Sequence, residues 1–359
     1  LVSAAGTKAQ YYSIEECIQI ALENNHQLLN SQLDVKAADY SIKEVKSQLL
    51  PTVDITGQFQ YYKDLPYQYA PASAFGGPEG EYNRLTLGMQ QTTSGAVKVT
   101  TNLYNQSVFV GLKAARVVKE TSLLREGLTR EDLIYNVSAT YYSIQVYNDN
   151  LRRLGSNITN LERTVGINQV LKDNELVAEN LHNRMLINLE NLRNQYENQK
   201  LLLDNHVTLL KTLMNIDLGA PLDVAEFKYD TDSLESEVGD ISRRSDIRLQ
   251  AAQLKLSQYG RKGIVAEYFP VLTNSFTYGY TGYYDEFAPF KQLNNDWIQS
   301  SYFSLSIKIP VFDGFRKQNQ IRQKEIAIQK NLNTLSQLKI NANKEVEDAT
   351  RNYTANKNL

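Results

Sequence analysis

Two Glu-x-x-His segments are the residues of this 359-residue chain whose types and spacing could bind a metal ion. Glu23 with His26 forms the first, and Glu179 with His182 forms the second. Residues three apart share a helix face, and two such motifs with two further inward glutamates hold the metal pair of di-iron bundles. The second segment lies by a predicted helix reversal, on the order of 100 Å from the first at ~1.5 Å per residue. We therefore interpret both pairs as surface or helix-capping residues and predict no metal site and no cofactor.

The remaining reactive side chains form no catalytic set. His206 shares an apolar helix seam with Gln199, and we interpret it as a polar position that sets helix register. Cys17 is the only cysteine, so an internal disulfide is excluded, and it lies among apolar residues of a predicted helix face. No nucleophile–base set and no glycine-rich phosphate loop is visible, so the sequence predicts that the chain is not an enzyme.

Charge and hydropathy narrow the class further. The net charge of −2 favours neither nucleic acid nor anionic lipid as a partner. No run of 18 apolar residues occurs, so no membrane-spanning helix is predicted. Residues 1–9 resemble the end of an export signal, with Thr7 and Ala9 placed for cleavage before Gln10. The alternative is an unstructured cytosolic N-terminus.

An internal duplication is the dominant feature of the chain. Residues 26–62 align without a gap on residues 245–281, at an offset of 219. A second block, Val97–Asn105, aligns on Leu305–Asp313 at an offset of 208. Each copy reads as helix, proline, strand, loop, strand and long helix, which indicates two similar halves.

Each half contains strands with one apolar and one polar face. Pro51 and Pro270 end the preceding helices, because proline disfavours helix at the residue before it. The period then changes to two, as in a half-exposed strand. We predict that one set of residues faces lipid: Ile55, Phe59, Phe276, Tyr278, Phe303, Leu305 and Ile307. The alternating set would face water inside a barrel: Asp54, Thr56, Gln58, Thr277, Ser304 and Ser306.

Long helices account for most of the remaining chain. The sequence predicts helices over 13–48 and 106–172, the latter on the order of 100 Å long. The polar stretch Lys172, Asp173, Asn174 and Glu175 is the predicted reversal into a second long helix that ends near Gly219. A third long helix is predicted to begin after Asp313-Gly314 and to be still running at Leu359. Residues 63–82 and 283–296 are predicted as loops, and the second strand of each half as Leu85–Leu103 and Phe303–Val311.

These elements predict three parts after the signal remnant: a first repeat over 10–221, a connector over 222–240 and a second repeat over 241–359. Four amphipathic strands cannot close a barrel alone, whereas two copies would supply eight strands and three would supply twelve. Many of the 23 tyrosines lie at strand ends, which suits a membrane–water boundary but also an ordinary packed sheet.

With these features the chain resembles the TolC family of outer-membrane efflux and secretion channels. The segment 12–25 resembles the opening helix of that family, and Leu50-Pro51 and Phe269-Pro270 match its helix-to-strand turns. Residues 309–314, Ile-Pro-Val-Phe-Asp-Gly, match its strand-to-helix exit, with Leu103-Tyr104-Asn105 as the weaker counterpart in the first half. The likeness spans residues 12–359 and depends on the order of these motifs together with the duplication.

The resemblance implies an α+β membrane protein: a homotrimer with a twelve-stranded β-barrel in the outer membrane of a Gram-negative bacterium and a long α-helical coiled-coil tunnel in the periplasm. Its partners would be outer-membrane lipid, a periplasmic adaptor, and an inner-membrane efflux pump or ABC exporter. The function implied is a passive exit duct for small molecules or proteins, with residues 172–175 as the adaptor-docking tip.

Two departures from the family pattern are visible. Residues 168–175 lack the glycine and serine that family members often carry before the docking turn. By the arithmetic of the first half, the third helix should turn some 20 residues beyond Leu359, near position 380, so we expect the sequence to be a fragment without the last long helix. The alternative function is a periplasmic coiled-coil structural or adaptor protein without a pore, which would not need four alternating strands.

Overall fold

The computed structural model describes residues 11–226, 240–285, 287 and 297–357. Of these, the residues up to 37, 119–252 and those from 334 onward form a helical unit. Residues 38–118 and 253–333 form a sheet unit. The helices are α1 (Ile14–Asn24), α2 (His26–Ser47), α3 (Gln106–Asp173), α4 (Glu179–Met214), α5 (Ser245–Ala266) and α6 (Arg316–Lys357). None of the helices in the described residues combines the length and apolar character that a membrane crossing requires.

The first predicted helix is two helices. Ser13 and Glu16 start α1 with a capping box, in which each side chain accepts a hydrogen bond from the other residue's backbone N–H. The prediction of one helix over 13–48 is wrong at Asn25, which is extended between α1 and α2. Its side-chain oxygen accepts hydrogen bonds from the N–H groups of Gln27 and Leu28, at 3.0 and 3.2 Å, and so caps α2.

The core of the helical unit lies where α1 packs against α3 and α4. Its fully buried side chains include Ile144 of α3, Leu210 and Met214 of α4, and Cys17 of α1. Tyr141 lies in the same cluster, and its hydroxyl donates a hydrogen bond of 3.0 Å to the backbone oxygen of Tyr12. Apolar burial of this kind is the main force that holds such a bundle together.

A short parallel ladder adjoins this core. Strand β1 (Tyr11–Tyr12) pairs with β6 (Asp223–Val224). The predicted connector over 222–240 therefore contains a strand. Because this strand is only two residues long, no alternating pattern in the sequence indicates it. Residues 227–239 lie outside the described part of the chain.

The sheet unit contains a four-stranded antiparallel sheet in the order β2-β5-β7-β8. Its strands are β2 (Thr52–Tyr61), β5 (Gln91–Asn105), β7 (Val271–Tyr284) and β8 (Trp297–Lys308). The duplication is visible in the helices that precede it, because α2 and α5 are both 22 residues long and their bounds differ by the offset of 219. Each of these helices ends shortly before its proline, Pro51 or Pro270.

The region between β2 and β5 is not the predicted loop followed by a strand over 85–103. It contains a second hairpin of β3 (Tyr67–Pro71) and β4 (Tyr82–Thr86), joined through a 3-10 turn at Ala72–Phe75. Gly88 has a φ of +112° and separates β4 from β5, a conformation that residues with a side chain rarely adopt. Of the residues that indicated a loop, Gly76, Gly77, Pro78 and Gly80 lie in the turn of this hairpin, whereas Pro71 is the last residue of β3.

Strand β8 ends at Lys308, so the predicted continuation to Val311 is wrong. Pro310 has no N–H to donate to a ladder and so ends the strand. Of the second predicted loop, Tyr283 and Tyr284 belong to β7, while residues 286 and 288–296 lie outside the described part. Helix α6 begins at Arg316, after Gly314 and Phe315 in the left-handed region.

Candidate functional site

The ladder registers sort the residues of the four-stranded sheet into two faces, because residues directly opposite each other in an antiparallel pair lie on the same side. Ile55 pairs with Val97, which pairs with Tyr278. Continuing through β8, the seven residues predicted to face lipid all lie on this face: Ile55, Phe59, Phe276, Tyr278, Phe303, Leu305 and Ile307. The sheet thus brings together residues from both halves of the chain.

The residues predicted to face water lie together on the opposite face: Asp54, Thr56, Gln58, Thr277, Ser304 and Ser306. Asp54 is directly opposite Lys98 in the ladder, an arrangement of opposite charges that stabilises a strand pair by roughly 0.2–1 kcal/mol. Sequence reasoning missed Lys98, although it alternates in step with Val97 and Val99. Gly279 also lies on this face, where an added Cβ would be 2.7 Å from the backbone oxygen of Gly95.

The apolar face is unusually exposed for a sheet. Ile55 is 82% exposed, Phe303 65% and Leu305 60%. Contiguous exposed apolar surface of this kind marks an interaction surface or a contact with membrane. Much of the polar face is exposed as well, including Asp54, Thr56, Gln58 and Ser306, whereas Thr277 is only 8% exposed. The two faces therefore differ in chemistry rather than in accessibility.

A helical hairpin in the helical unit carries the second candidate site. Asn168 on α3 contacts Met185 on α4, Glu162 pairs with Arg193 at 2.8 Å, and Tyr147 stacks against His206 with ring centroids 5.0 Å apart. Moving back along α3 thus corresponds to moving forward along α4, which makes the two helices antiparallel.

The four residues of the predicted reversal lie at the tip of this hairpin. Lys172 and Asp173 end α3, and Asn174 and Glu175 form the turn. Glu175 is left-handed, with a φ of +59°. The N–H of Glu175 donates to the oxygen of Lys172 and that of Leu176 donates to the oxygen of Leu171, both at 2.9 Å. This is a Schellman motif, in which glycine is the usual residue at the position of Glu175.

Sequence reasoning missed two apolar residues at the tip. Val170 is 60% exposed and Leu176 is 71% exposed. Both lie close to the predicted tip residues 172–175, Leu176 directly after them and Val170 two residues before them. A signal was present, because Val170 follows Ile167 by three residues and so extends an apolar stripe toward the turn.

The Glu-x-x-His pairs lie apart from each other. His26 is 3.1 Å from the side-chain nitrogen of Asn215, just beyond the end of α4. His182 lies in the first turn of α4 and is buried, so its interpretation as a surface residue is wrong. The rise of an α-helix puts these two histidines about 50 Å apart, rather than the predicted 100 Å. Within the described residues, no three ligand-type side chains come together as a metal site would require.

Cys17 is the other reactive group in the helical unit. Burial, and secondarily the charge of Glu16, raises the pKa of the Cys17 thiol to about 11. The thiol therefore stays protonated at neutral pH and is a poor nucleophile. Asp149 behaves in the opposite way: hydrogen bonds from Arg152 and Arg153 lower its pKa on the helix surface.

Comparison with known proteins identifies one family for most of the chain. A family model described as outer membrane efflux protein matches residues 17–171 and 241–358, which is more than half of the chain and covers part of each repeat. No curated protein sequence matches.

Solved structures match over nearly the full length. The outer membrane protein VceC from Vibrio cholerae superimposes with a TM-score of 0.76 at 14% identity, covering 95% of this chain and 79% of VceC. The Campylobacter jejuni outer membrane channel CmeC gives 0.74 at 16% identity, with 96% and 74% covered. The open state of the Neisseria gonorrhoeae outer membrane channel MtrE gives 0.66 at 17% identity, with 90% and 68% covered. At these identities the likeness is one of fold.

Proposed function

Since the chain belongs to the outer membrane efflux protein family, we propose that three copies of it assemble into one passive exit duct. A member of this family is an outer-membrane channel of a tripartite efflux system. The finer proposal concerns the assembly of the channel and its protein partners. Small molecules or proteins would be delivered by an inner-membrane pump or exporter through a periplasmic adaptor, and the duct itself would carry out no reaction.

The two-faced sheet is the observation that carries this proposal. An apolar face suits lipid only if the opposite, polar face encloses water, and a flat sheet cannot enclose anything. Within the described residues, β2 and β8 each have a strand partner on one side only. Such open edges would leave backbone N–H and C=O groups unpaired in a bilayer, so they favour closure between copies.

Three copies fit a duct better than two. Two copies would give eight strands, and the interior of an eight-stranded barrel is just wide enough to be filled by its own side chains. Three copies would give twelve strands and a wider, water-filled interior lined by Asp54, Thr56 and Gln58. The homotrimer and the twelve-stranded barrel are therefore our proposal for the assembled state.

Conductance measurements test both the channel and the facing of its strands. Variants of the full-length protein that carry one introduced cysteine beside the native Cys17, reconstituted in planar bilayers, should conduct ions as oligomers. A charged, water-soluble thiol reagent should lower the current stepwise for Asp54→Cys, Thr56→Cys and Gln58→Cys, because these side chains would line the pore. It should leave the current of Ile55→Cys and Phe59→Cys unchanged.

The unmodified protein is the control for background labelling, since its one thiol, Cys17, is buried with a raised pKa. Equal modification at all five positions would remove the proposed facing. Absence of any conductance from well-formed oligomers would instead argue for the alternative, a coiled-coil adaptor without a pore.

The hairpin tip is the proposed docking site for the adaptor. It combines exposed charges at Asp173 and Glu175 with the exposed apolar side chains of Val170 and Leu176. Charge pairs at the rim of a contact set its partner and register, while an apolar residue at its centre supplies most of the affinity. This mixed surface supports docking between proteins better than contact with lipid.

Charge reversal tests the docking site. The triple variant Lys172→Glu, Asp173→Lys and Glu175→Lys should lower adaptor affinity about tenfold or more, equivalent to ~1.4 kcal/mol, without changing oligomer size. Binding can be measured by biolayer interferometry on the detergent-solubilised full-length channel, with transport measured in cells. The matched control reverses one lysine, one aspartate and one glutamate midway along α4: Lys200→Glu, Asp204→Lys and Glu197→Lys. If the control weakens binding as much as the tip variant does, the docking site lies elsewhere.

A further inference from the structure

The open edges of the sheet raise a question of register. If β8 of one copy joins β2 of the next, the residues that lie opposite each other decide whether the faces of the two sheets match. A slip of one residue would move an entire strand's apolar set to the polar face. This register between copies rests on the proposed assembly, and it can be derived from the internal duplication.

The two halves of the duplication share the same strand register. Val53 of β2 pairs with Val99 of β5. Adding the offset of 219 to the β2 residue and 208 to the β5 residue gives Leu272 and Ile307. These two residues are paired in the β7–β8 ladder. The same translation carries the pair Thr56 and Ala96 onto Ser275 and Ser304, which are also paired.

The ladder that joins the halves has an equivalent between copies under the same offsets. In that ladder β5, the last strand of the first half, pairs with β7, the first strand of the second half. The equivalent strands at the open edges are β8, the last strand of one copy, and β2, the first strand of the next. Val97 of β5 pairs with Tyr278 of β7, and these residues correspond to Leu305 and Phe59.

We propose that β8 of one copy pairs antiparallel with β2 of the next copy in the register that puts Leu305 opposite Phe59. The same register pairs Phe303 with Tyr61 and Ile307 with Gly57 on the apolar face. On the polar face it pairs Ser304 with Gln60, Ser306 with Gln58 and Lys308 with Thr56. The partner is a second copy of this chain, and the contact is a six-pair backbone ladder.

The faces of the two strands agree with this register independently of the offsets. Leu305 and Phe59 both lie on the apolar face that the ladders define within one copy. A one-residue slip would put Leu305 opposite Gln58 or Gln60. Both apolar side chains are exposed within one copy, Leu305 by 60% and Phe59 by 44%.

The chemistry of the pairing also repeats. Val97 opposite Tyr278 sets an aliphatic side chain against an aromatic ring, and Leu305 opposite Phe59 does the same. The ladder end repeats as well. The β5–β7 ladder shifts register between Asn102 and Tyr104. The offset of 208 carries Asn102 onto Pro310, which cannot donate to a ladder. The six proposed pairs end at Lys308, two residues before this equivalent of the register shift.

Disulfide trapping in the full-length protein tests the register. Leu305→Cys combined with Phe59→Cys should form a covalent oligomer on mild oxidation in membranes, seen on a non-reducing gel. The matched controls combine Leu305→Cys with Gly57→Cys or with Tyr61→Cys, displaced by two residues in either direction on the same face. Diagonal neighbours lie ~7–8 Å apart, beyond the reach of a disulfide, so their yield should be about tenfold lower. Each single variant should give no cross-link, since Cys17 is buried.

A second pair keeps the test decisive if the variants at Leu305 or Phe59 fail to assemble. Ser306→Cys with Gln58→Cys lies on the polar face, and Ser306→Cys with Gln60→Cys is its displaced control. A higher yield from either displaced pair, or no cross-link in assembled oligomers, would overturn the register and leave the oligomer itself intact. If the unmodified protein runs only as a monomer in mild detergent, the proposed assembly fails instead.

Discussion

Replacing Ile55 by arginine will prevent insertion into the outer membrane, whereas the same replacement at Thr56 will be tolerated. The two residues are adjacent in β2 but lie on opposite faces of the sheet. An arginine on the lipid face near the bilayer midplane costs ~2–4 kcal/mol, and three copies in one barrel would multiply this to roughly 6–12 kcal/mol. On the polar face, the new guanidinium would stay in water.

Folding into lipid vesicles measures this difference for the full-length protein, with the heat-sensitive oligomer on a gel as the readout. A second pair in another strand provides an internal control: Leu305→Arg should behave like Ile55→Arg, and Ser304→Arg like Thr56→Arg. Because the test spans β2 and β8, it examines both halves of the chain. Equal insertion within each pair would contradict the proposed facing.

Truncating Leu210 to alanine will destabilise the helical unit by about 2–5 kcal/mol, since its side chain is fully buried against α1 and α3 and would leave a cavity. The adjacent Leu209 is 46% exposed, and Leu209→Ala should change the free energy of unfolding by less than ~0.5 kcal/mol. Both variants replace leucine by alanine in the same helix, so they differ only in the burial of the side chain that is removed.

Cys17 provides a native probe for this prediction. It is buried in the same cluster as Leu210, so a thiol reagent reaches it only when the cluster opens. A loss of 2 kcal/mol should raise its labelling rate about 30-fold in Leu210→Ala, and the rate in Leu209→Ala should stay near that of the unmodified protein. If the two variants are labelled at the same rate, Leu210 does not support the packing of α1.

The strands and helices that obey a simple period were predictable from the sequence. The change from helical to two-residue period after Pro51 located β2, and the reversal at residues 172–175 located the tip between α3 and α4. The opposition of the two sets of sheet residues was also predictable, because in each strand the apolar residues alternate with the polar ones.

Features that depend on distant contacts could not be predicted in this way. Asn25 divides the first helix because its side chain caps α2 and also donates to the backbone oxygen of Leu213, 188 residues away. The β3–β4 hairpin is hidden because its turn residues dominate the composition of a short segment. The pairing of β5 with β7 joins the two halves, and no local pattern indicates which strands of the two copies are neighbours.

The turn at Glu175 implies a conflict between folding and surface recognition. A residue with a side chain loses ~1–2 kcal/mol in the left-handed region, and glycine would adopt the same geometry without that loss. Glutamate stands there instead, with its side chain exposed. The protein is therefore less stable at this position than it would be with glycine. Engineering for thermal stability alone would therefore begin at a residue of the proposed docking tip.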